Sequence, residues 1–97
     1  KTAWHGPSDL SPVGMTAQMH LDLNVHNFGI QEFSDFNEAE KEVFEGCPYV
    51  EDGYAYVNDK PGIGIDFNEA AAKKYPPIHM DHSWMFSRLS DGTAVRP

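Results

Sequence analysis

Lys1-Thr2-Ala3-Trp4-His5-Gly6-Pro7-Ser8-Asp9-Leu10-Ser11-Pro12, continued by Val13 to Val25 and by Asn27-Phe28-Gly29-Ile30-Gln31-Glu32-Phe33, is the stretch on which the fold turns. Residues 1 to 4 read as the end of a strand closed by a Gly6-Pro7 turn, because a proline pushes the residue before it out of helical geometry. Ser11 supplies an oxygen that caps a helix, and Pro12 falls at its first position, where a missing N–H costs nothing. The run from Val13 to Val25 is ambiguous, since apolar side chains at 13, 15, 17, 19, 21, 23 and 25 alternate as in a strand. The run is long for a strand, however, and its Met, Ala, Gln and Leu are helix formers. Met15, Met19 and Leu23 also share one helical stripe, with Val13, Ala17 and Leu21 on an adjoining one. The spacing therefore predicts a well-buried helix over residues 12 to 25. Residues 28 to 32 then form a strand parallel to residues 1 to 4, which completes a βαβ unit. Two strands do not make a stable parallel sheet, so the rest of that sheet is expected from outside this stretch.

Beyond residue 34 the character changes. Asn37 to Phe44 reads as a short acidic helix, with Glu38, Glu40, Glu42 and Glu45 as its solvated face. Tyr49-Val50 and Tyr54-Ala55-Tyr56-Val57, joined by Glu51-Asp52-Gly53, read as a hairpin. Asp59-Lys60-Pro61-Gly62 and Gly64 mark turns, Asn68 caps a helix from Glu69 to Lys74 that stops at Pro76-Pro77, and Arg88 to Thr93 is a further turn. There are no repeats and no low-complexity segment.

Composition narrows the function classes. The 97 residues include six Phe, four Tyr and two Trp and are 40% apolar, which is too much packing material for a disordered chain. Seven Lys and Arg against fifteen Asp and Glu give a formal charge of -8, which repels phosphate backbones and anionic lipid, so neither nucleic acid nor membrane is an expected partner. The single cysteine, Cys47, has no internal disulfide partner and reads as a packing thiol, and no apolar run is long enough to span a bilayer. A cytoplasmic setting is expected. Lys1-Thr2-Ala3-Trp4 begins as though more sequence preceded it, so a fragment is expected as well.

Two residues stand out for chemistry. His5 and Glu32 each end a parallel strand at its carboxyl end, the face on which α/β sheets and barrels carry their sites. The strands place them side by side. From pattern alone His5 also reads as a turn cap and Glu32 as a solvated carboxylate, and Asp9 as an Asx-turn or helix-cap residue. His79-Met80-Asp81-His82 brings metal-capable side chains together, but with neither a CxxC pair nor an HExxH it reads as a polar loop. His20 and His26 read as packing or surface residues.

Taken together, these residues resemble a known family. Trp4-His5-Gly6-Pro7-Ser8-Asp9-Leu10-Ser11-Pro12-Val13-Gly14-Met15, Leu21-Asp22-Leu23 and Asn27-Phe28-Gly29-Ile30-Gln31-Glu32 are similar to the mannonate dehydratase subgroup of the enolase superfamily, also called starvation-sensing proteins. Asp59-Lys60-Pro61-Gly62, Ala71-Ala72-Lys73-Lys74-Tyr75-Pro76 and Arg88-Leu89-Ser90-Asp91-Gly92-Thr93 continue the resemblance in order. Pro7 after the His-Gly pair looks like the branch with weak mannonate activity or a preference for gluconate, and the Ala94-Val95-Arg96-Pro97 end departs from the tryptophan that many members carry.

The resemblance implies an α/β fold, the last part of a modified (β/α) TIM-type barrel. Residues 1–33 would be the end of barrel strand 7, its helix and strand 8, and residues 34–97 an extension returning to a capping domain. It implies a magnesium-dependent sugar-acid dehydratase that makes a 2-keto-3-deoxy sugar acid from mannonate or gluconate. The Mg2+ ligands and the groups that move protons would lie upstream. His5, Asp9 and Glu32 match substrate-binding positions, where they would hydrogen-bond hydroxyl or carboxylate oxygens. The implied partners are the remainder of the barrel protein, the sugar acid and further copies in a homo-oligomer. A non-catalytic relative with a regulatory or ligand-binding role is the first rival, and an independent small binding module the second.

Overall fold

The structure, a computed structural model, describes residues 1–78 and 88–94. His79-Met80-Asp81-His82 lies outside the described residues. The first unit is β1 (Thr2–Trp4), α1 (Pro12–Asn24) and β2 (Phe28–Gln31), with β1 and β2 parallel and a shift of register between Thr2 and Ala3. Helix wins over strand in the ambiguous run because its start is set chemically. The Ser11 side chain accepts from the Gly14 N–H at 3.2 Å, and Pro12 opens the first turn. A cap of this kind contributes about 1 kcal/mol. Val25 ends the helix in extended geometry.

Burial of α1 is narrower than the apolar spacing predicts. Pro12, Met15, Thr16 and Met19 are buried, whereas Leu21 and Leu23 are 49% and 73% exposed. Alternation wound onto a helix spreads apolar side chains over a wide arc, and the chain covers only the arc that carries Met15 and Met19. Met15, Met19 and Phe36 form the core, with Leu10, Phe33, Cys47 and Val57 packed against it. Phe33 and Phe36 meet edge-on with centroids 5.9 Å apart. Cys47 is thus a packing thiol, and its burial, followed by the nearby Glu40 carboxylate, pushes its pKa up and away from thiolate chemistry.

The second half is built from small paired pieces. They are α2 (Glu38–Val43), β3 (Phe44–Glu45), β4 (Tyr49–Glu51), β5 (Tyr54–Tyr56), β6 (Asp66–Phe67) and α3 (Glu69–Ala72), a shorter helix than expected. β4 and β5 make the expected hairpin, and β3 pairs antiparallel with β6, a pairing too short to be legible in sequence. The acidic run is more than a solvated face. Asn37 and Glu40 form a reciprocal capping box, Glu45 accepts from Asn68, and Glu42 takes both Lys74 and the Tyr75 hydroxyl. Those last contacts hold the Glu42 carboxyl below its usual range and tie α2 to the end of α3.

Asn58 fastens the loops to this half. Its Nδ2 donates to Gly46 O at 2.9 Å and Gly64 O at 2.8 Å, while its Oδ1 accepts from Lys60 N at 2.9 Å. Gly46 and Gly64 both have left-handed φ angles, +96° and +81°, which only glycine adopts without strain. With a radius of gyration of 17.0 Å, against about 13 Å for a self-contained domain of 100 residues, the chain is extended rather than closed on itself.

Replacing Asn58 with Ala removes three hydrogen bonds at a half-buried site. Local opening of β3 and β6 should become easier by about 2 kcal/mol, at roughly 1 kcal/mol for each of the two bonds to glycine carbonyls. Amide exchange reads this directly: faster exchange in β3 and β6 with β1 and β2 unaffected is expected, and unchanged protection in β3 and β6 would show that Asn58 is no fastener.

Candidate functional site

β1 and β2 run the same way, so their carboxyl ends emerge together, and Trp4 and Gln31 are register partners there. His5 follows one and Glu32 the other. His5 Nε2 lies 3.7 Å from Glu32 Oε2, with the side chains 80% and 57% exposed. That separation exceeds a good hydrogen bond, and an exposed ion pair contributes little. The pair is close without being spent on itself.

Glu32 is instead held by backbone. Gly6 N donates to Glu32 Oε2 at 3.0 Å, and Glu32 N donates to Trp4 O at 3.4 Å. Oε1 of Glu32 and both ring nitrogens of His5 have no hydrogen bond among the described residues. An acceptor and an adaptable donor–acceptor ring thus stand together facing solvent. Such a pair suits a polyhydroxylated ligand, whose hydroxyls both give and take hydrogen bonds.

The turn that follows His5 is fixed by two side chains. Ser34 Oγ donates to Gly6 O at 2.9 Å, and Gln18 Nε2, reaching up from α1, donates to His5 O at 3.1 Å. Gly6 itself is buried, and a Cβ there would sit 2.9 Å from both the Glu32 carbonyl carbon and Met15 Cε, and closer still to Glu32 O. Only a residue without a side chain lets the end of β1 pass this near to Glu32. Sequence reasoning missed Gln18, Gln31 and Ser34, which carry no motif and read as ordinary polar positions.

Asp9 is placed differently. It lies exposed in the turn closed by Leu10 N to Pro7 O at 3.0 Å, and it makes no hydrogen bond or ion pair among the described residues. The structure therefore brings His5 and Glu32 together and leaves Asp9 on the adjoining turn. Two surface grooves lie elsewhere, one of about 570 Å³ between α1, β2 and the β4–β5 hairpin, the other beside His20 and Ile63. His20 is spent there, with its Nε2 at 3.2 Å from Ile63 O.

The described residues contain no group of three or more His, Cys, Asp or Glu able to hold a metal ion. His5 and Glu32 are only two such groups, and one carboxylate with one imidazole is not the oxygen-rich shell that Mg2+ takes. No helix of the described residues is long and apolar enough to cross a membrane.

Gly6→Ala should separate β1 from Glu32. Forcing one extra methyl into a packed site costs about 1–3 kcal/mol, and backbone neighbours that cannot rotate away put this substitution at the upper end. Thermal unfolding should register the loss, and an alanine variant as stable as the parent would mean that the approach of Gly6 to Glu32 is looser than described.

Residues 1–71 match the family described as Enolase C-terminal domain-like. The chain is 70% identical, over its whole length, to a D-galactonate dehydratase family member from Enterocloster bolteae, of which it covers 24%. Against a D-galactonate dehydratase family member from Musicola paradisiaca the identity is 60%, again over the whole chain and 23% of the relative. A crystal structure of an enolase from Pantoea ananatis with bound D-gluconate and Mg superposes with a TM-score of 0.88 at 58% identity, covering all of this chain and 23% of that one. The chain therefore spans about a quarter of the length of the relatives it matches. Its architecture is a mixed α/β portion of that barrel-like domain, and the chain belongs to the Enolase C-terminal domain-like family.

Proposed function

We propose that this chain is the substrate-facing end of a sugar-acid dehydratase, in which the complete protein removes water from gluconate or mannonate. The observation that carries the reading is the juxtaposition of His5 and Glu32 at the carboxyl ends of two parallel strands, 3.7 Å apart and mostly exposed. The names of the relatives support a dehydratase, and D-gluconate in the similar enolase from Pantoea ananatis supports a six-carbon sugar acid. The sequence resemblance to the mannonate dehydratase subgroup adds mannonate as the second substrate to test. In this reading residues 1–33 are the end of barrel strand 7, its helix and strand 8, and residues 34–97 return toward a capping domain. The remainder of the barrel comes from the rest of the protein, which is cytoplasmic and homo-oligomeric.

Magnesium is the proposed cofactor of the complete protein, supported by the Mg bound in that same relative. The sequence resemblance puts its carboxylate ligands upstream of this chain, and no group of three metal-capable side chains occurs among the described residues. The work of this chain is binding and orientation. Glu32, anchored through Oε2 by the Gly6 N–H, offers Oε1 to a sugar hydroxyl, and His5 offers a ring nitrogen to a neighbouring oxygen. Asp9, on the adjoining exposed turn, is a third contact in this proposal. Together they hold the reacting carbon in place for groups that the rest of the protein supplies.

Charge-assisted hydrogen bonds contribute roughly 1.5 to 3 kcal/mol each, so Glu32→Gln in the complete protein should lower kcat/KM by about one to two decades. Magnesium affinity should be nearly unchanged. Titrating metal and sugar acid into parent and variant separates the roles: a variant that binds magnesium much more weakly would make Glu32 a metal ligand. A complete protein that binds D-gluconate without ever releasing a keto acid would favour the non-catalytic relative.

A further inference from the structure

We infer that Gln31 and Gln18 form a positioning pair that sets His5 and Glu32 relative to each other, an inference that rests on the reading of those two residues as sugar-acid contacts. Gln31 Nε2 donates to Glu32 O at 2.7 Å and to Gln18 Oε1 at 3.0 Å, and Gln18 Nε2 donates to His5 O at 3.1 Å. Two side-chain amides thus join the main chain of one strand end to that of the other. The direction of the chain is fixed by its ends. Both His5 O and Glu32 O are carbonyls that can only accept, so each glutamine must turn its nitrogen toward one of them, and the remaining link is then an N–H to oxygen contact. A flip of either amide would set oxygen against oxygen.

The arrangement leaves one acceptor of the amide without a partner among the described residues. Gln31 Oε1 is buried with no hydrogen-bond partner among the described residues, and an unpaired buried acceptor destabilises the fold that contains it. An apolar side chain of similar size would avoid that penalty and pack beside Met15, whose sulfur already lies 3.5 Å from Gln31 Nε2. What such a side chain could not do is hold Glu32 O and, through Gln18, His5 O. The strand pairing fixes Trp4 against Gln31 but ends there, and His5 and Glu32 lie one residue beyond it. One main-chain bond, Glu32 N to Trp4 O at 3.4 Å, reaches past that last pair, and the glutamine pair adds the two links to Glu32 O and His5 O. Ser34, which holds Gly6 O at 2.9 Å, acts on the same turn from the other flank.

The complete protein carrying Gln31→Leu, Gln18→Ala, both together, or His5→Asn tests this with D-gluconate and D-mannonate turnover and thermal unfolding. Gln31→Leu should lower kcat/KM about tenfold, mostly in kcat, because a misplaced contact costs more at the reacting carbon than in binding. Its Tm should stay near the parent's, since the two hydrogen bonds lost with the amide are offset by the departure of an oxygen that has no partner among the described residues. A merely structural role would move both in the same direction. Gln18→Ala should show a smaller loss of kcat/KM, and the double variant should be no worse than Gln31→Leu, because the two act as one chain. Losses that multiply in the double variant, or turnover untouched in Gln31→Leu while His5→Asn is crippled, would overturn the positioning role and leave the proposed function standing. Turnover untouched in His5→Asn as well would overturn both. If Gln31→Leu fails to fold, Gln18→Ala decides alone: it must lose kcat/KM with its Tm within the parent's range.

Discussion

The parallel pairing of Thr2–Trp4 with Phe28–Gln31 is the constraint on which the rest of the structure depends. Parallel strands cannot be joined by a tight turn, so the chain between them has to cross over, and α1 is that crossover. The crossing in turn decides which residues emerge side by side. His5 and Glu32 meet because each is the first residue past its strand, and Gly6 allows the close approach by having no side chain to put between them. The same pairing explains why the chain leaves apolar surface uncovered. A two-stranded parallel sheet has two open edges, and apolar side chains such as Leu23 and Ile30, 73% and 67% exposed, stand where further strands and helices of a barrel would cover them.

Two kinds of polar contact support this frame, and they do different work. Asn58 and the Glu42 contacts with Lys74 and Tyr75 fasten short elements that have little apolar surface of their own. The contacts around Gly6 add nothing to the pairing of the sheet itself; they fix the two residues just beyond it. Gln31 marks the difference: its Nε2 is spent on Glu32 O and Gln18 Oε1, while its buried Oε1 has no hydrogen-bond partner among the described residues.

Much of this was legible in the residues. Ser11-Pro12 marks the start of α1, and the Gly6-Pro7 turn marks the end of β1. Strand-end logic alone pairs His5 with Glu32. The extent of burial along α1 was not legible, because apolar alternation over Val13 to Val25 says how much of the helix could be covered and not what covers it. The β3–β6 pairing was hidden for a related reason: two residues a side carry no periodicity, and their partners are more than twenty positions apart. Gln18, Gln31 and Ser34 escaped because a side-chain amide or hydroxyl aimed at a main-chain carbonyl leaves no spacing rule in the sequence. The partners of Glu42 and Glu45 escaped because they lie more than twenty positions away, whereas the Asn37–Glu40 capping box does follow a spacing rule and its glutamate was read only as part of a solvated face.

If His5 and Glu32 contact the sugar acid while the metal is held elsewhere, a crystal structure of the complete protein with Mg2+ and D-gluconate will show it most directly. Sugar oxygens should lie within hydrogen-bond distance of His5 and of Glu32 Oε1, with the Gly6 N–H still on Oε2 and magnesium on carboxylates outside residues 1–97. Magnesium bound by Glu32, or a sugar acid seated away from both residues, would contradict this assignment.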